Sequence, residues 1–397
     1  MPLNPRPPQP LPPFAAGVDR ALAEMDGEVD WLLALSPIDN EAMWNAFADS
    51  GYREMPELKY IDLETDLDDV RRRLDALPIG SVESPLLRRL LDEKRREMDR
   101  QVELVRLRGR EGFRDASVAL FGGVDAGLLE CAREIMRDVR PGAPLKADAG
   151  IDEMLEAVEA ELDWYRESCP GFHAEVVVDT DLNSMMMVSH GTFYVDGDLR
   201  LPHARIQPLV QHEIGTHVVT RHNGSRQPLC QLQVGLADYD PLQEGLGVLA
   251  EYLTGYLPGE RLRVLAARVV ATDMAMQGCG VPEIFDLLHN THGMPTDDAF
   301  DVAVRALRGG GLTKDAVYLG GLRDLLAHLA GGGALEDLYV GKFALSHIDA
   351  LDELAEHGWL VPPEVLPRFF HQPGFAERLE RCRSTRVVDL HHEVPVA

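Results

Sequence analysis

Two histidines, a glutamate and a glycine stand together in Gln211-His212-Glu213-Ile214-Gly215-Thr216-His217. Imidazole nitrogens bind divalent metals, and a carboxylate beside them is placed to take a proton from water. The spacing is unusual. In the pattern His-Glu-x-x-His the two imidazoles lie one turn apart on one helical face, so both reach a single ion. Here one more residue intervenes, and at i and i+5 a regular α-helix sets the side chains about 140° apart. A locally widened, π-type turn would bring them back to one face, and such turns occur mostly at functional sites. Gly215, inside the spacer, is the residue best able to tolerate the distortion. The sequence therefore predicts a widened turn between His212 and His217 as the condition for a metal site.

A chance His-Glu-x-x-x-His is expected in roughly 0.04 of chains this long, so the hexapeptide alone could be polar surface. A third ligand strengthens the reading. Pro241-Leu242-Gln243-Glu244-Gly245-Leu246-Gly247-Val248-Leu249-Ala250-Glu251 opens a helix, with Glu244 standing 27 residues beyond His217. Catalytic zinc takes three protein ligands and keeps one position open, and two histidines with a carboxylate from a later helix form an established set. Glu244 is the expected ligand. Glu251, seven residues on and on the same face, is the alternative ligand or the carboxylate that accepts an imidazole N–H. Gly245 and Gly247 would let this helix pack closely against the histidine helix. Two acidic residues on a solvated face are the plain structural alternative.

The elements that must position these groups read as mostly helical. Apolar residues recur at helical intervals over 14–35, 85–107, 125–139 and 151–168, with dense Arg/Glu decoration on the second, as on a solvated face. The period then shortens. Residues 174–179, 184–188 and 191–195 are short apolar runs, the last closed by Asp196-Gly197-Asp198, and they predict a small antiparallel sheet or meander. The three methionines at 185–187 are expected to pack in the core. Helices return from His203 to His222, from Leu242 to Tyr256, and from Glu260, Pro282, Thr296 and Lys314. Gly309-Gly310-Gly311 and Gly331-Gly332-Gly333 read as helix terminators. The first triplet lacks the Gly-Lys-Ser/Thr ending of a phosphate loop and follows no strand. The expected class is α+β, predominantly helical, in three parts: a disordered proline-rich arm (1–13), an N-terminal helical region (14–110) and a catalytic domain (111–397).

Composition narrows the partners. The chain has 397 residues, 45% hydrophobic and 26% charged, with a formal charge of −27, which suits a soluble globular protein. A surface that acidic repels phosphate backbones and anionic lipid, so neither nucleic acid nor membrane is an expected partner. No apolar run reaches the roughly 18 residues of a membrane span, and the opening proline tract does not read as a secretory signal. Cys131, Cys169, Cys230, Cys279 and Cys382 are an odd number at wide spacings, which fits free thiols in a reducing, cytoplasmic setting. Arginine far outnumbers lysine, as in GC-rich bacterial genomes. The oligomeric state is not legible.

The segments His212-Glu213-Ile214-Gly215-Thr216-His217 and Gln243-Glu244-Gly245-Leu246-Gly247 resemble those of the QEGLA-motif family, which includes the microtubule-associated tyrosine carboxypeptidases. Ser117-Val118-Ala119-Leu120-Phe121-Gly122 is similar to a further element of that family, and 305–321 (RALRGGGLTKDAVYLGG) to its distal element. Gly247 stands where the family motif has alanine, a small change at a packing position that leaves the ligand assignment intact. The resemblance implies a metallopeptidase with one zinc ion per chain held by His212, His217 and Glu244, and Glu213 as the catalytic base. Its substrate would be a peptide or protein C-terminus, with tyrosine or another aromatic as the released residue. By analogy with other zinc peptidases, a zincin-like core is expected, in which the strand segment before the histidine helix pairs with substrate as an exposed edge. A terminal carboxylate calls for Arg or Lys, and Arg305, Arg308 and Lys314 are candidates. Tyr318 and His190 are candidates for stabilising a developing oxyanion. Two rivals remain: a non-catalytic, metal-binding regulator of the same family, and a helical interaction protein working through 14–110.

Overall fold

The computed structural model describes residues 6–142, 145–180, 182, 184–308, 312–392 and 394. The glycine triplet 309–311 lies outside them, as do residues 1–5 of the arm. Helices account for 62% of the chain, and the class is predominantly helical α+β. Local chemistry sets the helix ends. Ser84 caps the Pro85–Arg106 helix through the amide of Leu87, with proline in its first turn, and Asp125 caps Ala126–Asp138 through Leu128. The Pro85–Arg106 helix keeps Leu87, Leu90, Leu91, Met98 and Val102 fully inside while arginines and acids cover its outer face.

At the centre runs the Asp240–Thr254 helix, buried along nearly its whole length from Leu242 to Leu253. It packs against the histidine helix on one side and the Val317–Ala330 helix on the other. The second crossing is very close. A Cβ on Gly245 would lie 2.6 Å from the Gly321 carbonyl carbon, and one on Gly321 would lie 1.7 Å from the Pro241 oxygen. Of the two glycines expected to face the histidine helix, Gly247 does so, whereas Gly245 serves the opposite neighbour.

Two strands of two residues, β1 (Pro37–Ile38) and β2 (Lys59–Tyr60), pair antiparallel. The main sheet holds β3 (Glu175–Asp179), β4 (Met186–Ser189) and β5 (Thr192–Asp196) in the order β3-β5-β4. It is mixed, not antiparallel as the sequence suggested: β4 pairs antiparallel with β5, but β3 pairs parallel with it. Burial explains the order. Phe193 and Val195 of β5 are wholly buried, so β5 takes the middle position, and the tight β4–β5 turn forces β4 to the outer edge. In that turn His190 and Gly191 both have positive φ, 47° and 90°, matching the twist of a two-residue hairpin. Of the methionines, Met186 is buried and Met185 is 53% exposed, so only part of the run packs inside.

One continuous apolar core runs from Ala15 to Leu390. Residue 110 therefore marks a change of element, with no break between two cores. The Asp19 carboxylate of the Pro13–Asp26 helix accepts from the amides of Cys230 and Gln231, tying the N-terminal region to the rest. Of the arm expected to be disordered, the described part lies against the 355–358 turn: the Arg6 amide donates to Ala355 O and that of Gln9 to Gly358 O, at 3.1 and 2.8 Å.

Candidate metal centre and cleft

The histidines sit on one continuous helical stretch made of Ile206–His212, a π-helical segment Glu213–Val218, and Val219–Ser225. The widened turn required by the five-residue spacing is present. Side chains support it. The Thr216 hydroxyl donates to the Gln211 carbonyl five residues back at 3.0 Å, occupying an acceptor in the region where the regular ladder is displaced. A Cβ on Gly215 would come 2.4 Å from the buried Gln211 Oε1, so the spacer accepts only glycine without a shift.

The result is convergence. The His212 and His217 rings lie 5.2 Å apart, nearly perpendicular. Glu244 Oε2 is 3.7 Å from His212 Nε2 and 3.9 Å from His217 Nε2. One ligand atom from each of the three falls within 4.8 Å of the others. Donors bound at 2.0–2.1 Å around a tetrahedral ion lie about 3.4 Å apart, so this set needs only small adjustments to grip one cation. Among the described residues, no cysteine or further histidine joins this group.

Both histidines are held from behind. His212 Nδ1 is 3.0 Å from Glu251 Oε1, and the fully buried Glu251 carboxylate also receives Arg205 at 2.7 Å and Arg261 at 3.2 Å. Glu251 thus sits on the far nitrogen of His212, in the orienting position rather than the ligating one. His217 Nδ1 lies 3.5 Å from Gln243 Oε1, which accepts a 2.8 Å hydrogen bond from the Thr220 hydroxyl. Gly247 has a sharper role than packing: a Cβ there would stand 2.6 Å from His212 Nε2.

The electrostatics are strongly perturbed. Burial lowers His212, but its bonds to Glu244 and Glu251 outweigh this and hold it up at about 10. Burial drives His217 down to about 3. Glu213, buried beside them, is pushed up to about 7 by desolvation, against the attraction of His212. Burial raises Glu244, yet the hydrogen bond from His212 and the charges of Lys314 and the histidines hold it well below the usual carboxylate range.

A cleft of about 160 Å3 opens onto this group. His217, Glu244 and Gln243 form part of its floor, and Val188, Ser189 and His190, from the β4 edge and its turn, line it too. The N-terminal region supplies one wall through Asp26, Asp30, Trp31, Leu35 and Lys94. Of the cations singled out in sequence, Lys314 lines the cleft and pairs with Asp240 at 3.0 Å, with Glu244 Oε1 at 3.7 Å. Arg305 spends both ends of its guanidinium on Asp315, at 2.8 and 2.7 Å, and Arg308 is buried; neither lines the cleft. Tyr318, also outside the lining, lies beneath the Arg268 guanidinium at 5.2 Å. The two further motif-like segments meet: Ser117 and Thr313 hydroxyls are 2.8 Å apart, which sets Leu120 and Phe121 into the cleft wall.

Sequence reasoning missed Gln243, Arg205, Arg261, Arg221 and Lys342. Gln243 was in view beside Glu244, and Arg221 lies one turn beyond His217. The others come from segments with no motif. It also missed Cys169, His222 and Glu364, a second group able to hold a metal; there the Glu364 oxygen facing His222 at 2.8 Å is also taken by Arg226 at 2.7 Å.

The family model described as "Microtubule-associated tyrosine carboxypeptidase" matches residues 45–386, which take in both motif helices and the distal element and leave out the cleft-lining residues Asp26, Asp30, Trp31 and Leu35. The chain belongs to this family. A curated member, microtubule-associated tyrosine carboxypeptidase 1 of Homo sapiens, is 27% identical over 243 residues, covering 56% of this chain. The match covers 49% of that relative, so the chain spans about half the length of the family member it matches.

Proposed function

We propose that this chain is a zinc-dependent peptidase of the carboxypeptidase type. The observation that carries the reading is the convergence of His212 Nε2, His217 Nε2 and a Glu244 oxygen, with Glu251 gripping the far side of His212. Two imidazoles and one carboxylate, with no fourth protein donor among the described residues, are the donor set of a catalytic zinc. When bound, zinc supplies a Lewis acid for the scissile carbonyl and lowers the pKa of water. Glu213, adjacent to His212 and buried against it, takes the proton of the attacking water and delivers it to the leaving amine. Glu251 and Gln243 fix the two imidazole orientations.

Substrate would lie along the outer edge of β4. Among the described residues that strand pairs only with β5, and Val188 and Ser189 line the cleft, an arrangement suited to main-chain pairing with an extended peptide. Trp31, Leu35, Leu120 and Phe121 give the cleft an apolar wall that fits an apolar or aromatic terminal residue. The order of edge strand, histidine helix and carboxylate helix parallels zincin-like peptidases, by analogy of architecture. No described helix is long and apolar enough to cross a membrane.

The test pairs metal analysis with one substitution. Purified protein is expected to hold one zinc, and Glu213→Gln to retain it while cleavage of tyrosine-ended peptides falls by about 100-fold or more. Stoichiometric zinc without cleavage by the unaltered protein would favour a metal-binding regulator, and absence of zinc would favour an interaction protein.

A further inference from the structure

The cleft holds two cations that none of its own acids touches. Asp240 is taken by Lys314 at 3.0 Å, and Asp26 by Lys94 at 3.5 Å. Asp30 accepts from the Leu33 amide and the Ser189 hydroxyl. Glu244 belongs to the histidines and Lys314. Two further cations line the same space, Arg221 and Lys342. Among the described residues, neither has a carboxylate within 4.0 Å or a side-chain hydrogen bond.

Both are built into position. Arg221 stands one turn beyond His217, on the same face of the histidine helix. Its side chain lies across the β4–β5 turn, so close that a Cβ on Gly191 would be 2.7 Å from Arg221 Nε. Gly191 is therefore needed twice, for its φ of 90° and for this clearance. Lys342 is pinned by its backbone, donating to Leu232 O at 2.8 Å and accepting from the Leu236 amide at 3.0 Å. Its ammonium lies over the Tyr239 ring at 5.5 Å from the centroid.

Holding two unpaired like charges together in a desolvated place is unfavourable unless an anion joins them. Burial, then the charge of Arg221, lowers Lys342 to about 8, and burial also lowers Arg221. A carboxylate has two oxygens and about four lone-pair sites, enough to accept from a guanidinium and an ammonium at once.

We propose that Arg221 and Lys342 together bind the terminal carboxylate of the peptide substrate, in place of the cations of the distal element. The assignment rests on the peptidase reading above. His217 and the two cations line one cleft. Lys314, committed to Asp240 and Glu244, positions the carboxylate ligand instead.

The test measures binding by calorimetry to full-length, zinc-loaded protein in a Glu213→Gln background, which avoids turnover. The probes are an N-acetylated tripeptide ending in tyrosine, as free acid and as C-terminal amide. The free acid is expected to bind about 10- to 100-fold more tightly, the range of charge-assisted hydrogen bonds. Arg221→Gln and Lys342→Gln should each cut that preference to under about threefold with zinc content and amide binding unchanged, and Lys342→Arg should restore most of it. An unaltered background protein with no acid preference, or substitutions that leave the preference intact, would overturn the assignment. Lys342→Gln, whose side chain has no hydrogen bond to lose, carries the test if Arg221→Gln fails to fold. Cleavage is assayed separately with Glu213 present. Zinc-loaded protein that cleaves neither peptide sinks the peptidase reading, while a lost acid preference in the substituted proteins still supports the anion site.

Discussion

Glu251 touches His212, Arg205 and Arg261 at once, so its replacement acts on metal and fold together. For Glu251→Ala, zinc affinity should fall about 10- to 100-fold, as for other carboxylates that orient a ligating histidine. Leaving two largely buried guanidinium groups without their carboxylate should cost about 3 kcal/mol or more in denaturant unfolding. His212 gives a second expectation. Its pKa in the metal-free protein is held up at about 10, whereas a ligating imidazole must be neutral. Zinc binding below pH 10 then displaces a proton, so affinity should rise with pH, by up to about tenfold per unit. Competition titrations from pH 6 to 9 would show this, and a flat profile would mean that no proton leaves His212 when zinc binds. At this scale the sequence was informative where chemistry is local. The convergence of His212, His217 and Glu244 was foreseeable from type and spacing. The pairing of Arg221 and Lys342 was not, because only the tertiary fold shows which cations lack acids.

Between the Asp240–Thr254 and Val317–Ala330 helices, glycine meets glycine. Gly321→Ala would drive a methyl to 1.7 Å from the Pro241 oxygen, a backbone contact that cannot rotate away. The two helices would have to separate, moving Glu244 with them. Thermal unfolding should show a loss of about 3 kcal/mol or more, with weaker zinc binding alongside. A wild-type Tm would show that the crossing has slack. The π segment was foreseeable from the five-residue interval, since only that geometry unites the two imidazoles. The strand order was not. Three apolar runs of similar length say nothing about which becomes central, and the answer lay in the burial of Phe193 and Val195.

The N-terminal helices belong to the same core as the cleft they border. Ala15, Val18, Leu22 and Met25 of the Pro13–Asp26 helix are all essentially inaccessible to solvent. At about 1.5–3 kcal/mol for each large side chain, their burial contributes roughly as much as the whole net stability of a typical domain. Deleting residues 1–30 should therefore abolish cooperative unfolding, measured by calorimetry; a truncated protein with a sharp transition would mark this region as detachable. The segmentation at residue 110 followed a change in sequence texture, and texture does not reveal that two stretches share one interior.

The π segment has an evolutionary corollary. Removing one residue between Glu213 and His217 would recreate the shorter histidine spacing and let the wide turn close to a regular one, so everything downstream on that helix would keep its facing. Arg221 would stay in the cleft, and Asn223, whose amide joins Tyr339 and Val365, would keep both partners. The two histidine spacings are therefore a single deletion apart.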